Sequence, residues 1–130
     1  MQFYDLDHNR QLVEVGCAAG AYQGSQEYFI VDQNPSSEAV HAVSLPTYEA
    51  SGTDGETLLR KSVKEITGSP EFDHVNHRLK ILNRYRGPGD CGSYAVYGFQ
   101  SEQPVLEEFR AKLECDGTGA EHPEQWPVRH

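Results

Sequence analysis

The sequence lacks long apolar runs. None of its apolar stretches approaches the ~20 residues that a membrane-spanning helix requires. It also lacks, near residue 1, the basic segment followed by an apolar run that marks a secretory signal peptide. We therefore expect neither a membrane span nor a signal peptide within these residues.

Basic residues are scarce. The chain has 11 Lys and Arg against 20 Asp and Glu, which gives a formal net charge of −9. Nucleic-acid binding requires clustered Lys and Arg to contact the phosphates, and an anionic membrane surface makes the same demand. We therefore expect neither as a partner, and we expect the surplus charge to keep the protein in solution.

Motifs for metals and cofactors are missing too. The three cysteines form no Cys-x-x-Cys pair, and no Cys/His spacing matches a zinc site. His74 and His77 are three residues apart, but residues 72–77 have the composition of a turn between two strands. Residues 5–9 resemble the start of a calcium loop without its Gly and its closing Glu. We expect no metal and no cofactor.

The residues that are present fit one domain spanning residues 1–130. Seven Tyr, five Phe and one Trp supply large side chains for a core. Gly and Pro interrupt the chain about every 10–15 residues, a spacing typical of β-rich folds. These features predict an all-β or β-dominated domain, a twisted antiparallel sheet or small β-sandwich with little helix.

Local patterns place the strands and turns along the chain. Alternation and β-branched or aromatic content predict strands at residues 12–17, 27–32, 40–48, 79–86 and 93–99. Turn-forming residues predict connections at residues 18–26, 33–38, 50–55, 72–77 and 87–90. Residues 116–130 form a polar tail that Trp126 is expected to anchor.

Two segments remain open between helix and strand. Residues 56–67 carry a helical signal, because Thr53 and Glu56 have the spacing of a capping box and Gly68 suits the residue after a helix. In residues 104–114 the apolar positions fit both a helical and an alternating period. Propensity alone favours helix in both places, but it does not decide between helix and strand. The residues themselves therefore leave the assignment open.

Cys91 is the first candidate for chemistry. Its string Asp-Cys-Gly-Ser-Tyr (residues 90–94) superficially resembles the neighbourhood of the papain-type nucleophile. That nucleophile needs a histidine base oriented by an amide. The histidines that follow here, His122 and His130, lie in the polar tail. We therefore interpret Cys91 as a structural residue.

The cysteine spacing predicts a disulfide. A hairpin between residues 93–99 and 105–113 places Cys91 opposite Cys115, because its turn pairs residues whose numbers sum to about 206. Cross-strand partners have the short Cα separation that a disulfide accepts. We predict a Cys91–Cys115 disulfide and a buried thiol at Cys17. Pairing of Cys17 with either partner is the alternative that the sequence leaves open.

A Gly-rich turn at residues 87–90 is the second candidate. Its backbone N–H groups, flanked by guanidinium groups, could bind an anion. The alternative is a tight turn whose arginines pair with the surplus carboxylates. We favour the tight turn, because no phosphate-binding glycine motif with a following helix is present. The candidate binding residues here are Arg84, Arg86, Asp90, Ser93 and Tyr94.

Three segments carry a family resemblance. They are residues 11–23 (QLVEVGCAAGAYQ), 85–93 (YRGPGDCGS) and 109–117 (FRAKLECDG), and a Pro-bounded stretch follows at residues 123–127. In this order they resemble a bacterial family of unknown function, the DUF 1176 type, in its short cyanobacterial-type members. The resemblance covers the chain from about Leu12 to Pro127.

The resemblance implies an exported protein that is strand-rich across both open segments. It supplies no catalytic residues, and the longer proteobacterial members carry an N-terminal region that this chain lacks. We therefore expect an extracytoplasmic β-domain, periplasmic or secreted, that binds a protein or a cell-envelope component without catalysis. One alternative is an inhibitor of a cell-wall enzyme such as lysozyme, with Ser93, Tyr94 and Tyr97 as a faintly similar loop. The other is an enzyme with its site at the Gly-rich turn around Asp90.

Overall fold

The computed structural model describes residues 1–34, 37–51 and 57–129 and consists mainly of antiparallel strands. The strands are β1 (Gln2–Asp5), β2 (Arg10–Ala18), β3 (Gly24–Asn34), β4 (Ser37–Ala42), β5 (Leu45–Ser51), β6 (Thr57–Val63), β7 (Glu65–Asp73), β8 (Arg78–Arg84), β9 (Gly92–Gly98) and β10 (Val105–Lys112). Within the described ranges, the one helical element is a short 3₁₀ helix, Pro123–Gln125. The predicted all-β class is confirmed. No helix of the described residues is long and apolar enough to cross a membrane.

The larger sheet has the strand order β1-β2-β3-β7-β8-β9-β10. Strand β3 carries two neighbours on the same edge. Its first half pairs with β7, where Glu27 lies opposite Glu65, and its second half pairs with β4, where Phe29 lies opposite Ala42. Strands β5 and β6 form a separate two-stranded sheet.

The large sheet curls so that its first two strands, β1 and β2, contact β7 and the residues that follow β9. The guanidinium of Arg10, at the start of β2, donates to the carbonyl of Phe99 at 2.5 Å and to that of Ser101 at 3.0 Å, just beyond β9. Tyr4 of β1 stacks on Phe72 of β7 with 4.6 Å between the ring centroids. These contacts wrap the sheet around one apolar interior, because the right-handed twist of many strands accumulates.

The inner face of the curled sheet and the β5–β6 hairpin enclose the core. Its members include Leu12, Tyr28, Ile30, Leu45, Leu79, Ile81, Ala95, Tyr97 and Phe109. The hairpin is fixed in place by the hydroxyl of Tyr97, which donates to the carbonyl of Pro46 at 2.7 Å, and by Tyr48 packing on Phe109. Burial of each large apolar side chain contributes about 1.5–3 kcal/mol, so the hairpin is part of the fold and not an appendage.

The two segments whose assignment the sequence left undecided both form strands. Residues 57–63 form β6, residues 65–73 form β7, and Val105–Lys112 forms β10. Gly68 does not end a helix. It lies in β7, where an added Cβ would come 2.8 Å from the carbonyl oxygen of Leu82, so glycine permits the close approach of β8. The proposed capping residues Thr53 and Glu56 lie outside the described residues.

The single strand predicted at residues 40–48 is wrong. Strand β4 ends at Ala42 and β5 begins at Leu45. Between them the Val43 N–H donates to the Tyr28 carbonyl at 3.1 Å, and the Val43 side chain is buried in the core. The chain leaves the edge of β3 at this point and enters the hairpin layer. Strand-forming residue types continue through the break, as with Val40 and Val43, so residue type alone could not reveal it.

Candidate functional site

Asp90 is the last residue of the Gly-rich turn, and both oxygens of its carboxylate accept hydrogen bonds. The Arg86 side chain contacts both carboxylate oxygens, with Nε donating to Oδ1 at 2.7 Å. The Gly117 N–H donates to Oδ2 at 2.6 Å. The side chain of Asp90 is 1% exposed and that of Arg86 is 47% exposed. The Arg86 guanidinium holds the pKa of the Asp90 carboxyl well below its usual range, and the Gly117 N–H adds to the effect.

Lys112 extends this network to the tail. Its ammonium donates to the Asp90 carbonyl at 3.0 Å, to the Asp116 carboxylate at 2.5 Å and to the Thr118 carbonyl. The ion pair with Lys112 lowers the pKa of the Asp116 carboxyl. We call this network, together with the nearby disulfide, the Asp90 clamp; it comprises Arg86, Asp90, Cys91, Lys112, Cys115 and residues 116–118. The clamp ties the Gly-rich turn to the start of the tail.

The disulfide joins Cys91 to Cys115, the pairing expected from the sequence, with 4.9 Å between the Cα atoms. The register behind that expectation was two residues off. Lys112 lies opposite Gly92, so Leu113 would be the direct partner of Cys91. Cys115 reaches Cys91 because the chain leaves β10 after Lys112 and bends back over the turn.

Cys17 is free, as expected, but it is exposed and not buried. It is the extra residue of a β-bulge, since Gly16 pairs with Gln26 and Ala18 pairs with Ser25. Its thiol lies close to the carboxylates of Glu27 and Glu65 near the protein surface. The expectation of a buried thiol was therefore wrong.

Trp126 anchors the tail, as the sequence predicted. Its side chain is 3% exposed, and its indole N–H donates to the Gly119 carbonyl at 2.8 Å. Beyond it, Pro127 accepts from the Ala111 N–H at 3.0 Å, and the Arg129 N–H donates to the Phe109 carbonyl at 2.8 Å. The tail thus covers the outer edge of β10, which would otherwise present unsatisfied backbone groups.

The candidate binding residues from the sequence do not form one site. Arg86 and Asp90 belong to the clamp. Ser93 is buried on the inner face of β9. Tyr94 lies on the outer face, and Arg84 donates to Ser69 Oγ at 3.3 Å at the end of that face. The alternation of strand side chains separates Ser93 from Tyr94, because neighbouring residues point to opposite faces.

A groove runs along the outer face of β7, β8 and β9, with Tyr94 on its floor. One part, about 350 Å³ in volume, is lined by Ser69, Glu71, Lys80, Leu82, Tyr94, Pro123 and Glu124. A wider part of about 630 Å³ shares Lys80, Tyr94 and Glu124 and extends to Asp73, Arg78, Gln100 and Glu108. We call the two together the outer groove. One wall comes from the 3₁₀ helix, so the tail builds the groove as well as covering the β10 edge.

Carboxylates surround Tyr94. Burial raises the pKa of the Tyr94 hydroxyl, and the charges of Glu108, Glu71 and Glu124 raise it further. Glu108 is neutralised by Arg110, with 2.7 Å between its Oε1 and the guanidinium Nε. The outer groove therefore combines a partly buried aromatic ring with excess negative charge.

Little in the sequence indicated this groove. Its walls come from residues 69–82, from Tyr94 and from residues 123–124, and they match no contiguous motif. The available signal was strand parity, which places Lys80 and Leu82 on the face opposite Leu79 and Ile81. That signal identifies a face but cannot show whether the face is concave.

The histidines of the 72–77 turn do not converge on a metal-binding arrangement. The Nδ1 atom of His77 lies 2.7 Å from the Asp5 carbonyl oxygen, and the His74 ring packs edge-on against Phe72. Among the described residues, the donor atoms close enough together to hold a metal ion are those of Cys17, Glu27 and Glu65, near the protein surface.

Comparisons with known proteins place the chain in a family. It is 26% identical over 124 residues to the uncharacterized protein YpfG of Escherichia coli strain K12, an alignment that covers 95% of this chain and 33% of the relative. The chain thus spans about a third of that relative's length. No solved structure matches it. The sequence profile of the family described as "Protein of unknown function (DUF1176)" matches residues 1–130, and the chain belongs to this family.

Proposed function

We propose that this chain is a non-catalytic binding domain of the bacterial cell envelope, periplasmic or secreted, that holds a protein or envelope component in the outer groove. The observation that carries the proposal is the position of Tyr94. Its ring lies on the floor of a groove on the face opposite the core, while the face toward the core is filled by the hairpin layer. Partly exposed aromatic side chains in concave sites are frequent anchors of binding.

The disulfide supports an extracytoplasmic location. Disulfides persist in oxidising compartments and are reduced in the cytosol of most bacteria. Here Cys91 is buried and the bridge ties the tail to the turn.

The Gly-rich turn gives little support to an enzyme. A general base or nucleophile at Asp90 would need an accessible oxygen, yet both carboxylate oxygens are bonded to Arg86 and the side chain is buried. The remaining alternative is an inhibitor of a basic cell-wall enzyme such as lysozyme. The net charge of −9 favours it, because opposite charge accelerates association. The buried position of Ser93 weakens the loop comparison on which this alternative first rested.

The test is sedimentation of the purified protein with isolated envelopes of Escherichia coli. We expect the wild-type protein to sediment with the envelopes, and we expect Tyr94→Ala to weaken its binding about fivefold or more, as for an interface anchor. Tyr22→Ala is the matched control, because Tyr22 is an exposed tyrosine that does not line the groove. Equal binding by wild type and Tyr94→Ala would contradict the proposal. Slowing of lysozyme by micromolar protein in a parallel assay would select the inhibitor alternative.

A further inference from the structure

The floor of the outer groove is apolar in the middle and charged at its rim. Leu82 and Tyr94 lie on adjacent strands, opposite each other in register, and Pro123 adds a third apolar side chain from the tail. An apolar strip bounded by charges suits a ligand that is itself apolar along its length and charged at its tip. Lys and Arg side chains have this character, since their aliphatic stems pack on apolar surfaces while the head groups stay solvated.

The charge at the rim is only partly neutralised by the protein itself. Glu71 faces Lys80 across the strand pair but forms no salt bridge within the described residues. Glu124 contacts His122 at 3.3 Å, and that contact is ionic only when the histidine is protonated. Lys80 also lines the groove and offsets part of the carboxylate charge. By contrast, Glu108 already forms a salt bridge with Arg110. The groove therefore retains carboxylates near its apolar strip that a ligand cation can meet.

We propose that the outer groove takes a Lys or Arg side chain from an extended basic segment of a partner protein; this inference rests on the proposed function. The aliphatic stem lies along Leu82, Tyr94 and Pro123, and the head group turns toward Glu71 and Glu124. The Tyr94 ring adds a cation–π contact. The overall charge of −9 steers such a segment to the protein, and the groove selects where it binds.

The test uses octalysine as the probe and amide chemical shifts of the full chain as the readout, at low and moderate salt. We expect shifts centred on residues 71, 80–82, 94 and 123–124. We also expect the affinity to fall with added salt, because exposed charge pairs are screened. Octaglutamate and a neutral chitooligosaccharide are the comparison probes, and we expect neither to shift these residues.

Four variants make the test specific. We expect Tyr94→Ala to weaken octalysine binding about fivefold and Glu71→Gln about threefold, the usual range for an exposed cation–π contact and an exposed ion pair. Tyr94→Phe should bind nearly as well as wild type, which controls for misfolding of the alanine variant. Glu49→Gln removes the same charge from the hairpin layer, away from the groove, and should leave binding unchanged.

The outcomes separate this inference from the proposed function. If Glu49→Gln weakens binding as much as Glu71→Gln, the probe senses only net charge and the inference fails. If the chitooligosaccharide shifts the groove residues and octalysine does not, the inference fails while envelope binding through Tyr94 stands. If neither probe shifts the groove, the inference fails, and envelope sedimentation still decides the proposed function.

Discussion

The Asp90 clamp and the outer groove lie on either side of the same tail and contain similar residue types, yet they differ in what their polar groups contact. In the clamp, Asp90 is buried and bonded to Arg86 and Gly117, and Lys112 contacts several acceptors of the chain itself. In the groove, Glu71 forms no salt bridge within the described residues, and Tyr94 is partly exposed. A carboxylate beside a guanidinium is therefore no guide to function until its remaining hydrogen-bonding capacity is known.

This difference also separates stability from binding. Buried polar groups with full sets of partners hold elements together, and their removal leaves uncompensated partners. Solvated groups around a groove contribute little to folding and remain available to a ligand. Substitutions in the tail, the clamp and the groove test whether these regions divide the two tasks.

The largest effect should come from Trp126→Ala. Removal of this buried ring leaves a cavity between the tail and the sheet, and we expect a loss of about 3–5 kcal/mol in the free energy of unfolding. Urea unfolding measures this loss. It should be followed by far-ultraviolet circular dichroism and not by tryptophan fluorescence, because the variant removes the one tryptophan of the chain. A loss below about 1 kcal/mol would mean that the tail is not integral to the fold.

The next largest effect should follow opening of the disulfide. Cys115→Ser, made in a Cys17→Ser background to prevent exchange, should cost about 3 kcal/mol for a bridge of 24-residue separation. The Cys17→Ser single variant is the control and should unfold like wild type, because its side chain is exposed. An unchanged midpoint in urea would show that the hydrogen bonds of the clamp hold the tail without the bridge.

Asp90→Asn should have a smaller effect at neutral pH, because Asn keeps an acceptor for the Gly117 N–H and the half-exposed Arg86 can be hydrated. Its main signature is in the pH dependence. A carboxyl with a lowered folded-state pKa contributes stability that is complete above its unfolded value of about 3.9 and is lost as the pH falls through the folded value.

Unfolding of wild type and Asp90→Asn should therefore be compared between pH 7 and pH 2. The wild-type free energy of unfolding should fall with acid below about pH 4, and the variant should show a shallower slope. Some slope should remain in the variant, because the pKa of Asp116 is lowered by Lys112. Parallel curves for the two proteins would contradict the assignment of Asp90 as a charged clamp residue.

The smallest effect on stability should come from the groove. Glu71→Gln should change the free energy of unfolding by less than about 0.5 kcal/mol, because its carboxylate forms no salt bridge with any residue of 1–34, 37–51 or 57–129. The same variant is expected to weaken octalysine binding, so stability and binding should move independently. A loss of stability above about 1.5 kcal/mol would place Glu71 in the structural framework and remove the contrast with Asp90.

Much of the fold was predictable because it depends on local pattern. Alternation through residues 79–86 and 93–99 identified β8 and β9, and the Gly-rich turn between them followed from residue type. The predicted hairpin brought Cys91 close to Cys115 even though its assumed register was two residues off. Residues 56–67 stayed open because their helical propensity conflicted with strand pairing: residues 57–63 pair with β5 and residues 65–67 pair with β3, and local propensity does not report such partners.

Composition and short-range periodicity were enough to predict the β class, the net negative charge and the Gly-rich turn, because these depend only on residue type and local order. The tertiary structure alone decided which polar residues are engaged and which are available. Asp90 precedes β9 and Glu71 lies in β7. The tail brings the Gly117 N–H against Asp90, whereas Glu71 lines the outer groove. Cys17 is likewise exposed, although sequence reasoning placed it in the interior. Such outcomes depend on contacts between segments far apart in the chain, and a local pattern does not encode them.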